Sequence, residues 1–228
     1  AQNLLEVTRD TEKLVREAQA EVDRAKDTLT VKAQALKKVR VAAAPKLCDA
    51  VTKQMSHLQM GSAQIELNFE DLPFEQWNKV GSTKIELMYK PSAQMTARPL
   101  RKIASGGEVS RVMLACKVVL GESDVCDTLV FDEVDAGVGG ATAVALAEVL
   151  AQLAKTHQVI VVTHLPQVAV MASKQYVVSK TEEHNALPVT SLTEVSGTQR
   201  EEEIARMLSG SITEASLAHA HELLSEVR

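Results

Sequence analysis

The chain opens with a helical pattern that repeats its apolar positions every seven residues. One heptad position holds Val15, Val22, Leu29 and Leu36, and glycine and proline are absent from residues 1–44. Heptad spacing keeps apolar side chains on one helix face, so this pattern predicts a coiled-coil seam. The repeat is already running at the first residue, and we therefore expect the chain to begin inside a longer helical arm.

Pro45 marks the end of this pattern. A proline cannot donate a backbone hydrogen bond inside a helix, so it predicts the end of one helix and the first turn of another. The second helix carries an apolar face of Leu47, Val51, Met55 and Leu58. The predicted organisation is a coiled-coil arm over residues 1–44 and a globular body over residues 45–228.

Two segments of the body alternate apolar and polar residues with a period of two. The first holds Ile65, Leu67 and Phe69, and the second holds Ile85, Leu87 and Tyr89. This period predicts two half-buried antiparallel strands. Their connection contains the only tryptophan and is long for a hairpin, so we expect an exposed loop there.

From about residue 105 helical and strand patterns alternate. The predicted elements are a helix over 107–120, the strand TLVF, a helix over 141–154, the strand QVIVV, a short helix after Pro166, the strand QYVVS and tail helices over 201–208 and 214–227. Continuous apolar strands such as VIVV are typical of a parallel sheet buried on both faces. The fold class is therefore α/β, with a mostly parallel sheet flanked by helices and a small antiparallel strand pair.

Composition supports this fold class and also bears on the cellular compartment. Hydrophobic residues make up 45% and aromatic residues only 3% of the 228 positions, which favours helices packed on a sheet over an all-β sandwich. No apolar run reaches the roughly 18 residues that a membrane span needs. The three cysteines lack a C-x-x-C spacing, which argues against a zinc site and favours a cytoplasmic protein.

Positive charge is concentrated near the end of the arm although the whole chain carries a net charge of -5. Residues 24–53 include eight basic side chains and two acidic ones. The candidate DNA-binding residues in this basic strip are Lys32, Lys37, Lys38, Arg40 and Lys46. A strip of this kind suits phosphate contacts, and a solvated helix face is the alternative.

Two strands carry polar side chains where they end. Asp132 and Glu133 follow TLVF, and Thr163 and His164 follow QVIVV. The carboxyl ends of parallel strands meet at one edge of a sheet, where ligands bind in open α/β folds. An apolar strand followed by Asp-Glu matches the Walker B pattern of nucleotide hydrolases, and a capped helix start is the alternative.

A second cluster of candidate residues precedes the helix over 107–120. Its members are Ser105, Gly106, Gly107 and Glu108. Glycines before a helix let backbone amides approach an anion, and the helix dipole favours negative charge there. The S-x-x-E spacing is also that of a capping box, and the two interpretations are compatible.

The usual phosphate-binding loop has no match in this sequence. That loop requires a Gly-Lys pair, and none of the ten glycines is followed by lysine. Either the chain does not hydrolyse nucleotides, or a separate segment holds the β and γ phosphates. The coiled-coil pattern at the start favours the second interpretation.

Four segments in order carry a specific family resemblance. They are KIASGGEVSRVMLACKVVL, TLVFDEVDAGVGG, QVIVVTHLPQVAVMA and REEEIARMLSG. Over residues 98–225 the chain resembles the C-terminal half of the RecN family, the bacterial DNA-repair relatives of SMC proteins in the ABC ATPase superfamily. Residues 1–60 resemble only a returning coiled-coil arm. The resemblance implies an ABC-type ATPase head lobe with an N-terminal coiled-coil helix.

The resemblance also implies site roles and two cofactors, ATP and Mg²⁺. The signature motif, which contacts ATP held mainly by the opposite head, corresponds to Ser105, Gly106, Gly107 and Glu108. Asp132 resembles the magnesium ligand of Walker B and Glu133 the catalytic base. Asp135 resembles the D-loop acid and His164 the switch histidine that senses the γ-phosphate. Arg111, one turn into the helix, is a candidate contact to ribose or to the partner head, or a surface salt bridge.

The implied partners are an N-terminal Walker A half of the same protein, a second head joined through ATP, and DNA. The implied activity is ATP hydrolysis by the complete protein in double-strand-break repair and recombination at the nucleoid, with this part inactive alone. A DNA-tethering clamp that uses ATP as a slow timer is the first alternative. A transporter nucleotide-binding domain is the second, and the heptads and Ala104, where transporters have leucine, count against it.

Overall fold

The structure of the chain is a computed structural model. It describes residues 2–121, 126–181 and 189–227, with side chains from residue 11 onward. The helices are α1 (Gln2–His57), α2 (Gly106–Leu120), α3 (Ala141–Leu153), α4 (Pro166–Val170), α5 (Gly197–Ser209) and α6 (Glu214–Glu226). The strands are β1 (Gln64–Asp71), β2 (Thr83–Lys90), β3 (Arg98–Pro99), β4 (Thr128–Phe131), β5 (Gln158–Val161), β6 (Gln175–Thr181) and β7 (Val189–Val195). The predicted α/β class with a long N-terminal helix is confirmed.

The chain divides into two compact units. The first comprises Ala1–Asp49 and Ile65–Met88, and the second comprises Ala50–Gln64 and Tyr89–Arg228. No helix among the described residues is both long enough and apolar enough to cross a membrane. The functional boundary between residues 44 and 45 stays a prediction.

Helix α1 passes through Pro45 without ending, so the predicted helix break is wrong. A proline inside a helix costs about 3 kcal/mol because one backbone hydrogen bond is lost. Buried residues on both sides of the proline offset this cost. Ala33 and Ala44 are buried before Pro45, and Met55 and Leu58 are fully buried after it. Tertiary contacts here outweigh the local preference.

In the first unit α1 is attached to the hairpin formed by β1 and β2. The hairpin is antiparallel, as shown by the Leu72 N–H donating to Ser82 O at 2.9 Å and by the ion pair of Lys84 with Glu70 at 3.2 Å. Lys37 Nζ of α1 lies 2.7 Å from the Asp71 carboxylate. The predicted antiparallel strand pair is therefore present, and it holds the arm helix from one side.

The loop between β1 and β2 packs around its aromatic residues. The Trp77 indole N–H donates to Leu72 O at 2.9 Å, and the rings of Phe74 and Trp77 have centroids 5.0 Å apart. Lys26 Nζ of α1 lies 5.8 Å from the centre of the Phe74 ring. A part-buried hydrogen bond and ring contacts thus order a loop that is mostly exposed, as the sequence predicts.

Strands β4 and β5 of the second unit pair in parallel. Their register places Phe131 opposite Val161, so both strands end at the same edge. One face of this pair is open in the described residues, with Val130 66%, Ile160 47% and Val162 58% exposed. The expectation that these strands are buried on both faces is wrong for this chain by itself.

The C-terminal elements form a helical core next to an antiparallel strand pair. Strand β6 pairs antiparallel with β7, a strand that the sequence pattern did not predict. Helices α4, α5 and α6 bury Ala169, Val170, Ile204, Ala205 and Ala220. Arg200 of α5 donates to the carbonyls of Ala169 and Ala172 at 3.0 and 2.7 Å and so caps the end of α4.

Candidate functional site

The first part of the site is the start of α2. Ser105 is the N-cap residue, and its hydroxyl accepts a hydrogen bond from the Glu108 N–H at 3.3 Å. This is the Ser105 half of the predicted capping box, and it satisfies one of the free N–H groups at the helix start. Ser105 and Gly106 are exposed, so the first turn of α2 stays accessible from solvent.

Gly106 and Gly107 allow the loop after β4 to lie directly against α2. A Cβ atom on Gly106 would collide with the Glu133 carboxylate. A Cβ atom on Gly107 would lie 2.9 Å from the Ala136 Cβ and 3.1 Å from the Glu133 carbonyl oxygen. Gly107 is therefore needed for this close approach, because a Cβ there would meet main-chain oxygens and the Ala136 Cβ, whereas a Cβ on Gly106 would displace only the end of the Glu133 side chain.

The loop after β4 carries three carboxylates in two environments. Asp132 and Glu133 are exposed, whereas Asp135 is only 3% exposed. Glu133 has a φ of 55°, a left-handed conformation that is unfavourable for a residue with a side chain. Such conformations persist only where neighbouring contacts hold them, and they are frequent at functional sites.

Asp135 is bound to the residues that follow β5. Its Oδ2 accepts hydrogen bonds from the Thr163 hydroxyl at 2.6 Å and from the His164 backbone N–H at 3.0 Å. The His164 Nδ1 lies 3.1 Å from the same oxygen, while the side chain remains 70% exposed. The Leu165 N–H donates to the Thr163 hydroxyl oxygen at 3.0 Å and extends this network by one residue.

Two residues of α2 connect the helix to the same loop, and the sequence prediction missed this role. The Ser110 hydroxyl donates to Asp132 O at 2.9 Å. Arg111 Nη1 donates to Val134 O at 3.2 Å and to Ala136 O at 2.8 Å. From the sequence, Arg111 is a candidate contact to ribose or to the partner head, or a surface salt bridge; in the structure its guanidinium binds main-chain oxygens of the loop, a role outside these three.

The phenol of Tyr89 lies close to this end of α2. Burial raises the pKa of Tyr89, and the negative charge of Glu108 raises it further, while Arg111 has the opposite effect. A raised pKa keeps the phenol neutral at physiological pH. Tyr89 thus adds no charge to the helix start.

The predicted basic strip lies in the first unit and faces two directions. Lys37 is paired with Asp71, and Arg40 Nη1 donates to Val80 O at 2.7 Å, so both residues serve the hairpin contact. Lys32, Lys38 and Lys46 are exposed. Only these three of the five predicted residues are presented to a large external partner.

A complete metal-binding set is absent from the described residues, where no group of three or more His, Cys, Asp and Glu side chains could hold a metal ion. Asp132 and Glu133 are the exposed carboxylates that follow β4 directly. Mg²⁺ commonly uses one or two protein carboxylates and completes its shell with water and substrate phosphates. The residues present therefore fit a magnesium ion carried by a nucleotide.

Comparisons with known proteins find relatives that share one name. The chain is 40% identical over 220 residues to the DNA repair protein RecN of Streptomyces coelicolor, covering 92% of this chain and 38% of that protein. It is 42% identical over 207 residues to the DNA repair protein RecN of Deinococcus radiodurans, covering 91% and 36%. The chain thus spans less than two fifths of the length of these relatives. No family model matches it.

Solved structures with a similar fold are SMC heads with part of their coiled coil. The Smc head domain with a coiled coil and joint from Pyrococcus yayanosii has a TM-score of 0.57 at 18% identity, covering 90% of this chain and 36% of that chain. The Smc head domain with an extended coiled coil from Pyrococcus furiosus has a TM-score of 0.53 at 19% identity, covering 98% and 47%. At this identity the likeness concerns the fold.

Proposed function

The chain belongs to the RecN family, and from this we infer that it supplies part of the ATP-hydrolysing head of an SMC-like DNA-repair protein. The observation that carries this proposal is the contact between the start of α2 and the loop after β4. Gly106 and Glu133 meet there, and β5 brings His164 to the same loop through Asp135. The start of α2, the Glu133 carboxylate and the His164 imidazole are thus linked through the loop after β4, and this linkage supports the proposal.

In this proposal the signature motif, Ser105 to Glu108, contacts ATP that is held mainly by the opposite head. Asp132 holds Mg²⁺, which when bound neutralises charge on the phosphates. Glu133 accepts a proton from the attacking water, because its carboxylate is exposed and lies beside Gly106 at the start of α2. The buried Asp135 accepts from the His164 backbone N–H and lies 3.1 Å from its Nδ1, so it would hold the imidazole that contacts the γ-phosphate.

The proposed roles imply an ATP cycle. Phosphate contacts drawn from two heads favour the engaged state, and removal of the γ-phosphate takes away part of that bridge. The arm helix α1 then connects the cycle to DNA or to neighbouring molecules in the cytoplasm at the nucleoid. Double-strand-break repair and recombination are the setting that the family suggests.

An additional segment is needed to complete this head. The open face of β4 and β5 carries Val130, Ile160 and Val162, each about half to two thirds exposed. Buried apolar surface contributes about 25 cal/mol per Å², so covering this face stabilises an association. A Walker A half from the same protein is the partner that would cover the face and supply the missing phosphate-binding loop.

The test is ATP hydrolysis by this chain alone and after mixing with the upstream Walker A half. We expect activity only in the mixture, because the signature motif and Walker B are on one piece and the phosphate-binding loop is on the other. Equilibrium binding of labelled ATP to each piece and to the mixture accompanies the rate measurement. A mixture that neither binds nor hydrolyses ATP would contradict the proposed function.

DNA binding is proposed for the exposed side of the basic strip. With about 100° between successive residues of a helix, Lys32, Lys38 and Lys46 fall within about a third of the circumference. Lys37 and Arg40 point to the opposite side, where the hairpin lies. Three lysines on a free helix side suit phosphate contacts without sequence preference.

Reversing two of these charges is expected to weaken DNA binding by the complete protein. In the variant with Lys32→Glu and Lys38→Glu, the negative slope of log K against log salt should become shallower by about 2, because each lost phosphate contact releases about 0.9 fewer counterions. ATP binding should be unchanged. The matched control replaces Lys79 and Lys155, which are also exposed, by glutamate. Equal losses in both variants would show a general charge effect and would remove the assignment to this helix side.

A further inference from the structure

Ser110 and Arg111, two consecutive residues of α2, bind three alternate carbonyl oxygens of the loop after β4. Ser110 Oγ donates to Asp132 O at 2.9 Å. Arg111 Nη1 donates to Val134 O at 3.2 Å and to Ala136 O at 2.8 Å. Because the acceptors are backbone atoms, these bonds fix the path of the loop itself and not one side chain.

The Ser110 bond acts next to the general base. The peptide group between Asp132 and Glu133 is held through its carbonyl oxygen, and the orientation of this peptide group sets the φ of Glu133. The left-handed φ of 55° is unfavourable for glutamate and needs outside contacts to persist. Ser110 supplies one such contact from the signature helix.

The Arg111 bonds act on both sides of Asp135. Val134 and Ala136 are its two chain neighbours, and one guanidinium nitrogen binds the carbonyls of both. The Asp135 carboxylate in turn accepts from the His164 backbone N–H at 3.0 Å. These hydrogen bonds, joined by the main chain of residues 134–136, therefore connect α2 to His164.

We propose that Ser110 and Arg111 are positioning residues that couple the signature helix to the general base and the histidine. This inference rests on the proposed function. A shift of α2 when its first turn binds nucleotide moves Glu133 and, through Asp135, His164 along with it. In the described residues Ser110 and Arg111 bind main-chain oxygens of the loop, so we expect their effect to be on the catalytic rate and not on nucleotide affinity.

An arginine at position 111 is suited to binding two carbonyl oxygens at once. The guanidinium is always charged and presents several N–H donors in a rigid plane, which allows one nitrogen to bind two carbonyls. Lysine keeps a charged donor but loses the fixed plane. Arg111→Lys should therefore recover part of the function that Arg111→Ala loses.

The test uses the complete protein and steady-state ATP hydrolysis. Arg111→Ala is expected to lower kcat by about 10- to 100-fold, the range that a misplacement of about 1 Å produces. The KM and the dissociation constant for ATP should change by less than about 3-fold, since an interaction that acts only on the reaction leaves binding intact. Ser110→Ala should lower kcat in the same sense, and Arg111→Lys should lie between Arg111→Ala and the wild type.

The control is Arg98→Ala, which removes an exposed arginine elsewhere in the second unit. An unchanged kcat in Arg111→Ala, or a loss of ATP affinity that accounts for its lower rate, overturns the inference while the proposed function stands. If Arg111→Ala does not fold, Ser110→Ala and Arg111→Lys decide by the same comparison. A wild-type protein without ATP hydrolysis overturns the proposed function and this inference with it.

Discussion

Glu133→Gln in the complete protein is expected to lower kcat for ATP hydrolysis by about 100-fold or more, because a positioned general base contributes roughly 10²- to 10⁴-fold. Glutamine has nearly the same size, so the close approach to Gly106 is kept while the proton acceptor is removed. ATP binding should persist. Phosphate release at saturating ATP and equilibrium ATP binding measure the two quantities separately.

Glu148→Gln is the matched control for this experiment. Glu148 is an exposed glutamate of α3, and it makes no part of the proposed site. We expect wild-type kcat and ATP affinity in this variant. Wild-type hydrolysis in Glu133→Gln would show that another group accepts the proton, and loss of ATP binding would show that Glu133 acts in binding.

Asp135→Ala is expected to produce the largest loss of stability among single substitutions at the site. Asp135 is 3% exposed, and its Oδ2 receives the Thr163 hydroxyl and the His164 N–H. Alanine leaves both donors without this acceptor, and each such loss costs about 1–3 kcal/mol. The free energy of unfolding should therefore fall by roughly 2–4 kcal/mol, since these groups are partly buried. Urea denaturation of the complete protein and hydrogen exchange at residues 163–165 measure the effect.

Two further variants separate the loss of the hydrogen-bond acceptor from the loss of negative charge. Asp135→Asn keeps a carbonyl oxygen that can accept both hydrogen bonds and removes the charge, so it should retain most of the stability. Asp127→Ala removes an exposed carboxylate just before β4 and should have little effect. If Asp135→Ala unfolds at the wild-type urea concentration, the bonds to Thr163 and His164 do not stabilise the fold.

The sequence predicts the elements that carry the site with good accuracy. The strand TLVF corresponds to β4 at Thr128–Phe131, and the predicted helix over 107–120 corresponds to α2 at Gly106–Leu120. These segments have strong local signals: an apolar run bounded by acids, and glycines followed by an amphipathic pattern. The rule for parallel strands then brings the residues after β4 and β5 to one edge, where Asp135 meets His164.

Other features depend on contacts that the local pattern does not contain. Pro45 predicts a helix end, but buried residues on both sides keep α1 continuous. The role of Arg111 is not predictable from residue types, because its acceptors are backbone carbonyls that every residue possesses. The basic strip is visible as a count of charges, whereas the division of its members between the hairpin and solvent requires the position of β1 and β2.

The open face of β4 and β5 also bears on how the chain behaves at high concentration. In the described residues this pair forms a two-stranded sheet, so its outer strand edges are unpaired as well as its face being open at Val130 and Val162, and unpaired edges are templates for pairing with another molecule. Until the edges are paired and the face is covered, the chain is exposed to aggregation through strand addition and through apolar contact. A segment that covers this strand pair is therefore expected to increase the solubility of the chain as well as to complete the catalytic site.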